Sequence, residues 1–205
     1  MTAAPTSREA PRRRRLEPDA RREQILDCAV RLFGERPYAA VSTTDIAREA
    51  GIARGLLNHY FGTKRDLYVQ VVRRIVVLPP LDDAEAFTGP LKKRVQRSVD
   101  WFLDTVSEYG KTFVAVTGAE GVGNDPEIER ILAAADDAAA RKVLETVGLS
   151  ADVPEHRAAI RAYGGMVKVA VREWIRSETL TRPQVQLLLS QALITIVRDV
   201  LPEMG

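Results

Sequence analysis

The sequence is poor in the residues that most often build metal sites and disulfide frameworks. Among 205 residues there are one cysteine, Cys28, and two histidines, His59 and His156. A single cysteine cannot form a disulfide within the chain, and Cys28 lies in an apolar-rich segment where we expect a small core residue. His156 has only Glu155 as an acidic neighbour. We therefore expect no metal site.

Other combinations that are typical of enzymes are missing as well. The acidic pairs Asp136 with Asp137 and Glu127 with Glu129 are spaced so that they do not face each other on a helix. The glycine-rich stretch GAEGVG lacks the lysine and the serine or threonine of a phosphate-binding loop, and no strand pattern precedes it. The sequence therefore predicts neither a catalytic site nor a cofactor, and the protein is not expected to be an enzyme.

Long hydrophobic runs are also absent. No stretch of 18 or more apolar residues occurs, and the basic N-terminus is not followed by the apolar core of a signal peptide. We therefore expect a cytoplasmic protein. Apolar residues make up 45% of the chain, enough for a packed core, and they recur at helical spacing without strand-like alternation. This pattern predicts an all-α fold. Asp19 is expected to cap the first helix, and Pro79 and Pro80 to end the fourth. In the second half we predict a helix over about residues 90–108, a shorter one around Phe113, and a third that Asp125 caps.

Residues 42–64, STTDIAREAGIARGLLNHYFGTK, predict two short helices joined by a tight turn. Ser42 is expected to cap a helix over residues 43–50, because its hydroxyl can accept a hydrogen bond from an unpaired amide of the first turn. Gly51 is expected to end that helix, since glycine adopts the left-handed conformation without steric cost. A second helix follows over residues 53–61. This arrangement is typical of a helix-turn-helix, whose second helix reads DNA.

The outward side chains of the second helix are suited to phosphates and base edges. Arg54 is predicted to contact a base directly, because its guanidinium fork matches the edge of guanine. Asn58 and His59 can contact either a base or a phosphate, and Gly55 and Leu56 lie on the same outward face. The residues expected to hold phosphates are Ser42, Thr43, Tyr60 and Lys64.

These residues also resemble a known family. The motifs DIAREAG, I-A-R-G-x-L, HYF and T-K-R-D-L are similar to the DNA-binding domain of the TetR family of bacterial transcriptional regulators, over roughly residues 21–76. Three positions depart from the family pattern. Ala53 stands where a capping serine is common, Leu56 where threonine is common, and Asn58 where an aromatic residue is common. Loss of the cap is expected to weaken the recognition helix by about 1 kcal/mol.

Charge is distributed unevenly along the chain. Residues 1–78 carry 15 Lys and Arg against 9 Asp and Glu, a balance of +6, whereas residues 79–205 carry 15 against 19, a balance of −4. A basic first part suits a DNA reader, because counterion release drives much of DNA binding. We predict a disordered basic tail over 1–18, a three-helix DNA-binding domain with a helix-turn-helix over 19–78, and a helical effector-binding and dimerisation domain over 79–205. The arginines at 12–15 are either a solvated tail or an arm that contacts DNA.

The last two predicted helices, over residues 154–177 and 183–201, carry more apolar surface than one small module can bury. The final helix is apolar on more than one face, so it should be covered on more than one side. In the preceding helix, Gly164 and Gly165 thin the surface and favour the close approach of another helix. We predict that these helices pair with their copies in a second subunit as a four-helix bundle, and the family resemblance implies the same homodimer.

Six aromatic residues lie on helices of the second module that are expected to converge. They are Trp101, Phe102, Tyr109, Phe113, Tyr163 and Trp174. Cavities between bundle helices are common ligand sites, although the simpler interpretation is that these residues form core. The family resemblance implies that this module binds a small effector. The few charged residues on its inner faces indicate that the effector is largely apolar.

Together these features predict a homodimeric, sequence-specific transcriptional regulator, a repressor that a small molecule releases from a palindromic operator. Two other classes stay open. The chain could be a helical ligand-binding protein or enzyme whose helix-turn-helix is only structural, or a nucleoid or partner-binding protein without sequence preference. Nothing in the sequence distinguishes a repressor from an activator.

Overall fold

The computed structural model describes residues 17–77, 88–118 and 125–204, and within these ranges the chain contains no β-strand. The prediction of an all-α fold is confirmed. The α-helices of the described ranges are α1 (Pro18–Glu35), α2 (Thr43–Glu49), α3 (Arg54–Phe61), α4 (Lys64–Val76), α5 (Leu91–Thr117), α6 (Pro126–Val147), α7 (Pro154–Ile175) and α8 (Arg182–Thr195). A 3-10 turn, Tyr38–Ala40, connects α1 to α2. The predicted arginine tail at 12–15, the prolines at 79 and 80, and the glycines of residues 119–124 lie outside the described residues.

Side-chain caps set the starts of α2 and α4. The Ser42 hydroxyl accepts a hydrogen bond from the Asp45 amide at 3.1 Å, and the Asp45 carboxylate accepts one from the Ser42 amide at 3.0 Å. Thr63 and Asp66 make the same reciprocal exchange at the start of α4. Gly51, with a φ of 63°, ends α2 in the left-handed conformation. The predicted bounds of both helices of the helix-turn-helix are therefore right to within one residue.

The start of α1 differs from the prediction. The helix begins at Pro18, with Glu17 before it making no side-chain cap, whereas Asp19 was the expected cap. Proline suits the first position of a helix because its φ is already helical and its missing N–H is not needed there. Asp19 lies inside the first turn instead, where its charge complements the helix dipole.

The helix α5 is a single kinked element of 27 residues where the sequence predicted two helices. The backbone leaves helical geometry at Tyr109, with φ −129° and ψ 27°, so the predicted break is in the right place but no loop intervenes. Directly after the kink, a Cβ added at Gly110 would lie 3.0 Å from Ile175 Cδ1 of α7. The missing side chain therefore lets the two helices cross closely.

The first four helices and the last four share one continuous apolar core. Within this core α1 and α5 cross closely, since a side chain at Gly34 would collide with Thr112. The Thr112 hydroxyl donates a hydrogen bond to the Val30 carbonyl at 2.8 Å. Cys28, a free thiol in this core, is buried as expected, and burial raises its pKa. The first four helices are therefore packed directly against the second half of the chain.

The C-terminal helices follow their sequence signals. Asp125 accepts hydrogen bonds from the amides of Glu127 and Ile128, with Pro126 in the first position, and Gly148 ends α6 in the left-handed conformation. After α8 the chain continues through a π-helical turn, Ile196–Val200, and a 3-10 turn, Leu201–Glu203. Within the described chain, Arg182–Glu203 is the one helix long and apolar enough to cross a membrane by length and composition, a test that core helices of soluble proteins also pass.

Candidate DNA-recognition surface and ligand cavity

One face of α3 is buried and the other is open. Leu57 is 0% exposed and Phe61 is buried, and both belong to the core that includes Ile46 of α2. Because these buried positions recur every four residues, the side chains between them point away from the core. The predicted DNA contacts of α3 that are exposed are Arg54, Gly55, Leu56, Asn58 and His59, and Tyr60 is half-buried.

Arg54 is the best-presented cation of this surface. It is the first residue of α3, and within the described part of the chain its guanidinium makes no hydrogen bond or ion pair. By contrast, Arg48 of α2 binds the Asp45 carboxylate at 2.8 Å. The free guanidinium of Arg54 can therefore bind a base edge without first breaking an internal contact.

Ser42 and Thr43 lie at the start of α2, beside this surface. The Ser42 hydroxyl donates to Asp45 Oδ2 at 2.7 Å while its oxygen serves as the helix cap. A phosphate that uses this hydroxyl as donor must replace the contact with Asp45. Thr43 is half-buried in the first turn, where unpaired amides favour an anion.

Lys64 is also engaged inside the chain. Its Nζ donates to the Tyr38 carbonyl at 2.5 Å and lies 4.0 Å from the centroid of the Tyr38 ring. Burial lowers the pKa of Lys64. Tyr38 in turn packs against Phe33 and Tyr68, with ring centroids 5.8 and 4.9 Å away. Lys64 therefore joins α4 to the turn before α2. One of its three N–H donors is used on the Tyr38 carbonyl, which leaves two that can bind a phosphate.

The neighbouring Arg65 joins α4 to the start of α6, a contact that the sequence analysis missed. Its Nε lies 2.6 Å from Asp125 Oδ2, and its second nitrogen lies 2.8 Å from Asp125 Oδ1 and 3.0 Å from Glu127 Oε2. Arg73 reaches the other oxygen of Glu127 at 3.5 Å. The hydrogen bond from Arg65 lowers the pKa of Asp125 to about 2, and the same carboxylates raise the pKa of Arg65.

Replacing Arg65 with glutamine is expected to raise the pKa of Asp125 from about 2 toward its ordinary value of 3.8. A carboxyl whose pKa is lowered on folding stabilises the protein above its unfolded pKa and loses this contribution as the pH falls to the folded pKa. The native protein should therefore lose this stabilisation between about pH 4 and pH 2, and the variant should lose less of it.

An NMR titration of the carboxyl carbons and urea unfolding at several acidic pH values check this prediction. Arg130→Gln is the matched control, because Arg130 is an exposed arginine of α6 that binds only the Pro126 carbonyl of its own helix, at 3.0 Å. An Asp125 pKa that stays near 2 in Arg65→Gln contradicts the assignment.

A cavity of about 580 Å³ lies between α5, α6, α7 and α8 and reaches the end of α4. Its volume falls within the range of roughly 300–1,000 Å³ that is typical of small-molecule sites. Four of the six predicted aromatic residues line it, namely Trp101, Phe102, Phe113 and Tyr163. The Tyr163 hydroxyl donates to the Leu189 carbonyl at 3.1 Å, and burial raises its pKa.

The other two predicted pocket residues, Tyr109 and Trp174, do not line the cavity. Tyr109 lies at the kink of α5, is 37% exposed and interacts with Arg74 of α4. Trp174 lies at the end of α7, beyond the last lining residue of that helix, Lys168. The sequence predicted a helix break at this point, but it could not show on which side of the bundle Tyr109 would lie.

Charged groups also line the cavity, although the sequence predicted inner faces with few charges. They are Lys142, Asp136, Arg161 and Lys168. Lys168 Nζ lies 2.6 Å from Asp136 Oδ2, and Arg161 lies 3.0 Å from Asp137 Oδ1. These residues lie at the edges of the apolar faces of α6 and α7, and the sequence could not show that two such edges meet at one cavity.

Neither histidine forms part of a metal site within residues 17–77, 88–118 and 125–204, where no three His, Cys, Asp or Glu side chains come together around a possible ion. His156 Nε2 lies 3.2 Å from the Leu201 carbonyl, so it links α7 to the end of the chain. His59 packs edge-on against Tyr60, with ring centroids 5.7 Å apart.

Comparison with known proteins supports a regulatory role for this arrangement. Residues 25–71, which span most of α1 through α4, match the family model of bacterial regulatory proteins of the tetR family. The HTH-type transcriptional activator FasR of Mycolicibacterium smegmatis is 26% identical over 169 residues, which cover 80% of this chain and 76% of that protein.

Solved structures show the same fold. A tetR-family transcriptional regulator from Streptomyces coelicolor superposes with a TM-score of 0.74 and 25% identity, over 93% of this chain and 87% of that one. FadR from Bacillus subtilis, solved in complex with stearoyl-CoA, superposes with a TM-score of 0.64 and 16% identity, over 87% of this chain and 98% of that one. The likeness therefore extends over both the helix-turn-helix and the helices that surround the cavity.

Proposed function

We propose that this chain, whose residues 25–71 match the tetR family model, is a DNA-binding transcriptional regulator of that type, and that it acts as a homodimeric repressor that a small molecule releases from a palindromic operator. The observation that carries this proposal is the position of α4. Its first turn holds Lys64 and Arg65, and its last residues, Val76 and the adjoining Val77, line the cavity. A molecule in the cavity and DNA on α3 therefore act on the same helix.

In this proposal α3 enters the major groove of each half-site. Arg54 contacts guanine, and the exposed apolar side chain of Leu56 is suited to the methyl group of thymine. Asn58 and His59 contact a base or a phosphate. The phosphate contacts come from Thr43, Tyr60, the remaining donors of Lys64 and, after exchange of its contact with Asp45, Ser42.

The second subunit covers α7 and α8. Large apolar side chains that this chain leaves open lie on these helices and their continuation: Val169, Leu187, Leu188, Val200 and Met204. Beside them, Ala158, Ala162 and Gly165 form an exposed row of small residues, and a Cβ added at Gly165 would meet no atom within 4 Å. Only 28% of the most apolar window of Arg182–Glu203 is buried within the chain. A matching helix pair from a second copy would cover this face as a four-helix bundle.

Effector and DNA compete through the arrangement of α4. Arg65 ties the first turn of α4 to α6, and Arg74 ties the same helix to Glu23 and Asp27 of α1. An effector that favours a different position of α6 relative to α4 changes the separation of the two recognition helices. The effector then lowers operator affinity by its difference in affinity for the two arrangements.

The same proposal assigns a role to each part of the chain. Residues 19–78 form the DNA-binding domain, residues 79–205 the effector-binding and dimerisation domain, and residues 1–18 a basic tail in a cytoplasmic protein. An activator is the second candidate, because FasR is named a transcriptional activator. Transcription in vitro from a template that carries the operator distinguishes the two, since a repressor lowers the transcript level and an activator raises it.

The test of DNA recognition is selection of random double-stranded DNA by the purified protein near 0.15 M salt, followed by sequencing of the bound pool. We expect enrichment of one two-fold symmetric motif. Weak binding that depends strongly on salt and shows no preferred sequence would contradict the proposal and favour a non-specific DNA-binding protein.

A further inference from the structure

Two cations flank a gap in the wall of the cavity. Arg161 and Lys168 lie three residues before and four residues after Gly164 on α7, so the three share one face of the helix, and all three line the cavity. A Cβ added at Gly164 would meet no atom within 4 Å. On α6, Ala138 and Ala139 are exposed to solvent and also line the cavity. The cavity therefore opens between α6 and α7, beside positive charge.

The charge of this opening is opposite in sign to that of the surrounding module. Three lining residues are cationic, Lys142, Arg161 and Lys168, and one is anionic, Asp136, which gives a balance of +2. Asp137, the partner of Arg161, does not line the cavity and is shared with Arg141 and Arg157. Residues 79–205 as a whole carry 15 Lys and Arg against 19 Asp and Glu, a balance of −4. The excess of positive charge at the cavity is therefore local and does not reflect a generally basic module.

These cations retain donors for a ligand. Lys168 contacts Asp136 and Arg161 contacts Asp137, but an ammonium has three N–H donors and a guanidinium has five. The Lys168 side chain is only 28% exposed, so an anion beside it would be less screened than one on an open surface. Deeper in the cavity the wall is apolar, with Val99, Phe102 and Leu193 among its residues.

We propose that this cavity binds an anionic amphiphile, whose apolar chain fills the interior and whose anionic group lies at Gly164 between Arg161 and Lys168. The inference rests on the proposed function, because it assigns a ligand class to the same effector cavity. It also changes the sequence-based expectation of a largely apolar effector, since the chain of the ligand is apolar and its head is charged.

Three probes with the same ten-carbon chain test this assignment: decanoate, decanol and decylamine. Binding to the full-length protein is measured by isothermal titration calorimetry and by intrinsic tryptophan fluorescence, in a Trp174→Phe background so that the signal comes from Trp101, which lines the cavity. Decanoate is expected to bind at least about tenfold more tightly than decanol, with decylamine weakest, because the anion gains charge-assisted hydrogen bonds. Added salt should reduce the preference for decanoate.

The double variant Arg161→Gln, Lys168→Gln should abolish the preference and leave the affinity for decanol unchanged. Both side chains are partly exposed, so the variant is expected to fold, which circular dichroism checks. Arg130→Gln removes a cation from α6 that does not line the cavity, and it should keep the preference.

Several results would overturn the inference: equal affinity for decanoate and decanol, tighter binding of decylamine, a carboxylate preference that persists in the double variant, or no binding of any probe. DNA release is scored separately with the selected operator. Decanoate that binds with the expected preference but leaves operator affinity unchanged counts against the effector function and supports the ligand class. Release by decanol alone supports the effector function and overturns the anionic assignment.

Discussion

Replacing both Leu187 and Leu188 of α8 with glutamate is expected to yield a folded monomer whose operator affinity is lower by about a hundredfold to ten-thousandfold. The two leucines are 59% and 42% exposed within the chain, so the change should not disturb the core. In the proposed dimer it would bury four carboxylates, two from each subunit, in an apolar interface. Unpaired buried charges are strongly destabilising, so the subunits should separate.

The loss of operator affinity follows from the loss of linkage between two recognition helices. In a dimer, the second half-site binds as an intramolecular event, which raises the overall affinity without any new contact. Sedimentation velocity measures the association state, and binding to the selected operator measures the affinity.

The matched control for this variant adds the same two charges elsewhere. Ala133→Glu with Ala134→Glu alters two exposed residues of α6 that do not line the cavity, and it should leave both the dimer and operator binding unchanged. A Leu187→Glu, Leu188→Glu protein that remains dimeric would refute the assignment of this face to the second subunit.

Replacing Arg54 with alanine is expected to reduce operator affinity by roughly thirtyfold to ten-thousandfold and to relax the preference at one base pair of each half-site. This corresponds to the loss of two bidentate contacts with guanine, one in each half-site, each worth about 1–3 kcal/mol. Arg54 is exposed and has no internal partner within the described chain, so its removal should not change the free energy of unfolding by more than about 0.5 kcal/mol.

Competition with operators that carry every single base change measures this effect. Lys64→Ala provides the contrast, since it should weaken binding to all sequences alike, and it should also lower stability because Lys64 contacts both the carbonyl and the ring of Tyr38. Arg48→Ala removes an exposed arginine of α2 and should leave the base preferences unchanged. Unchanged base preferences in Arg54→Ala would refute its assignment as a base contact.

The residues that line the cavity could be predicted only in part from the sequence. Aromatic residues at helical spacing predicted a site between the second set of helices, and Trp101, Phe102, Phe113 and Tyr163 do line one cavity. Spacing along the chain predicted the break at Tyr109 but could not show that this residue is exposed and lies outside the cavity. The charged residues of α6 and α7 that line the cavity were expected to face solvent, because the sequence shows each helix without its neighbours.

What the sequence by itself determined about this protein is its local structure and its resemblance to a family of DNA-binding regulators. The cap of Ser42 with Asp45, the turn at Gly51 and the start of α6 at Asp125 each depend on residues within four positions of one another. Their geometry is set by backbone sterics and short hydrogen bonds, so the residue types are sufficient to predict them. The motifs of the helix-turn-helix are local for the same reason.

Only the tertiary structure decided how these elements act on one another. Arg65 is 60 residues from Asp125, Lys64 is 26 residues from Tyr38, and Lys168 is 32 residues from Asp136. Such contacts depend on how the helices pack, because ion pairs and hydrogen bonds act over a few ångströms while the intervening chain is many times longer. The link between α4 and α6 and the positive opening of the cavity therefore could not be predicted from the sequence and are seen only in the tertiary structure.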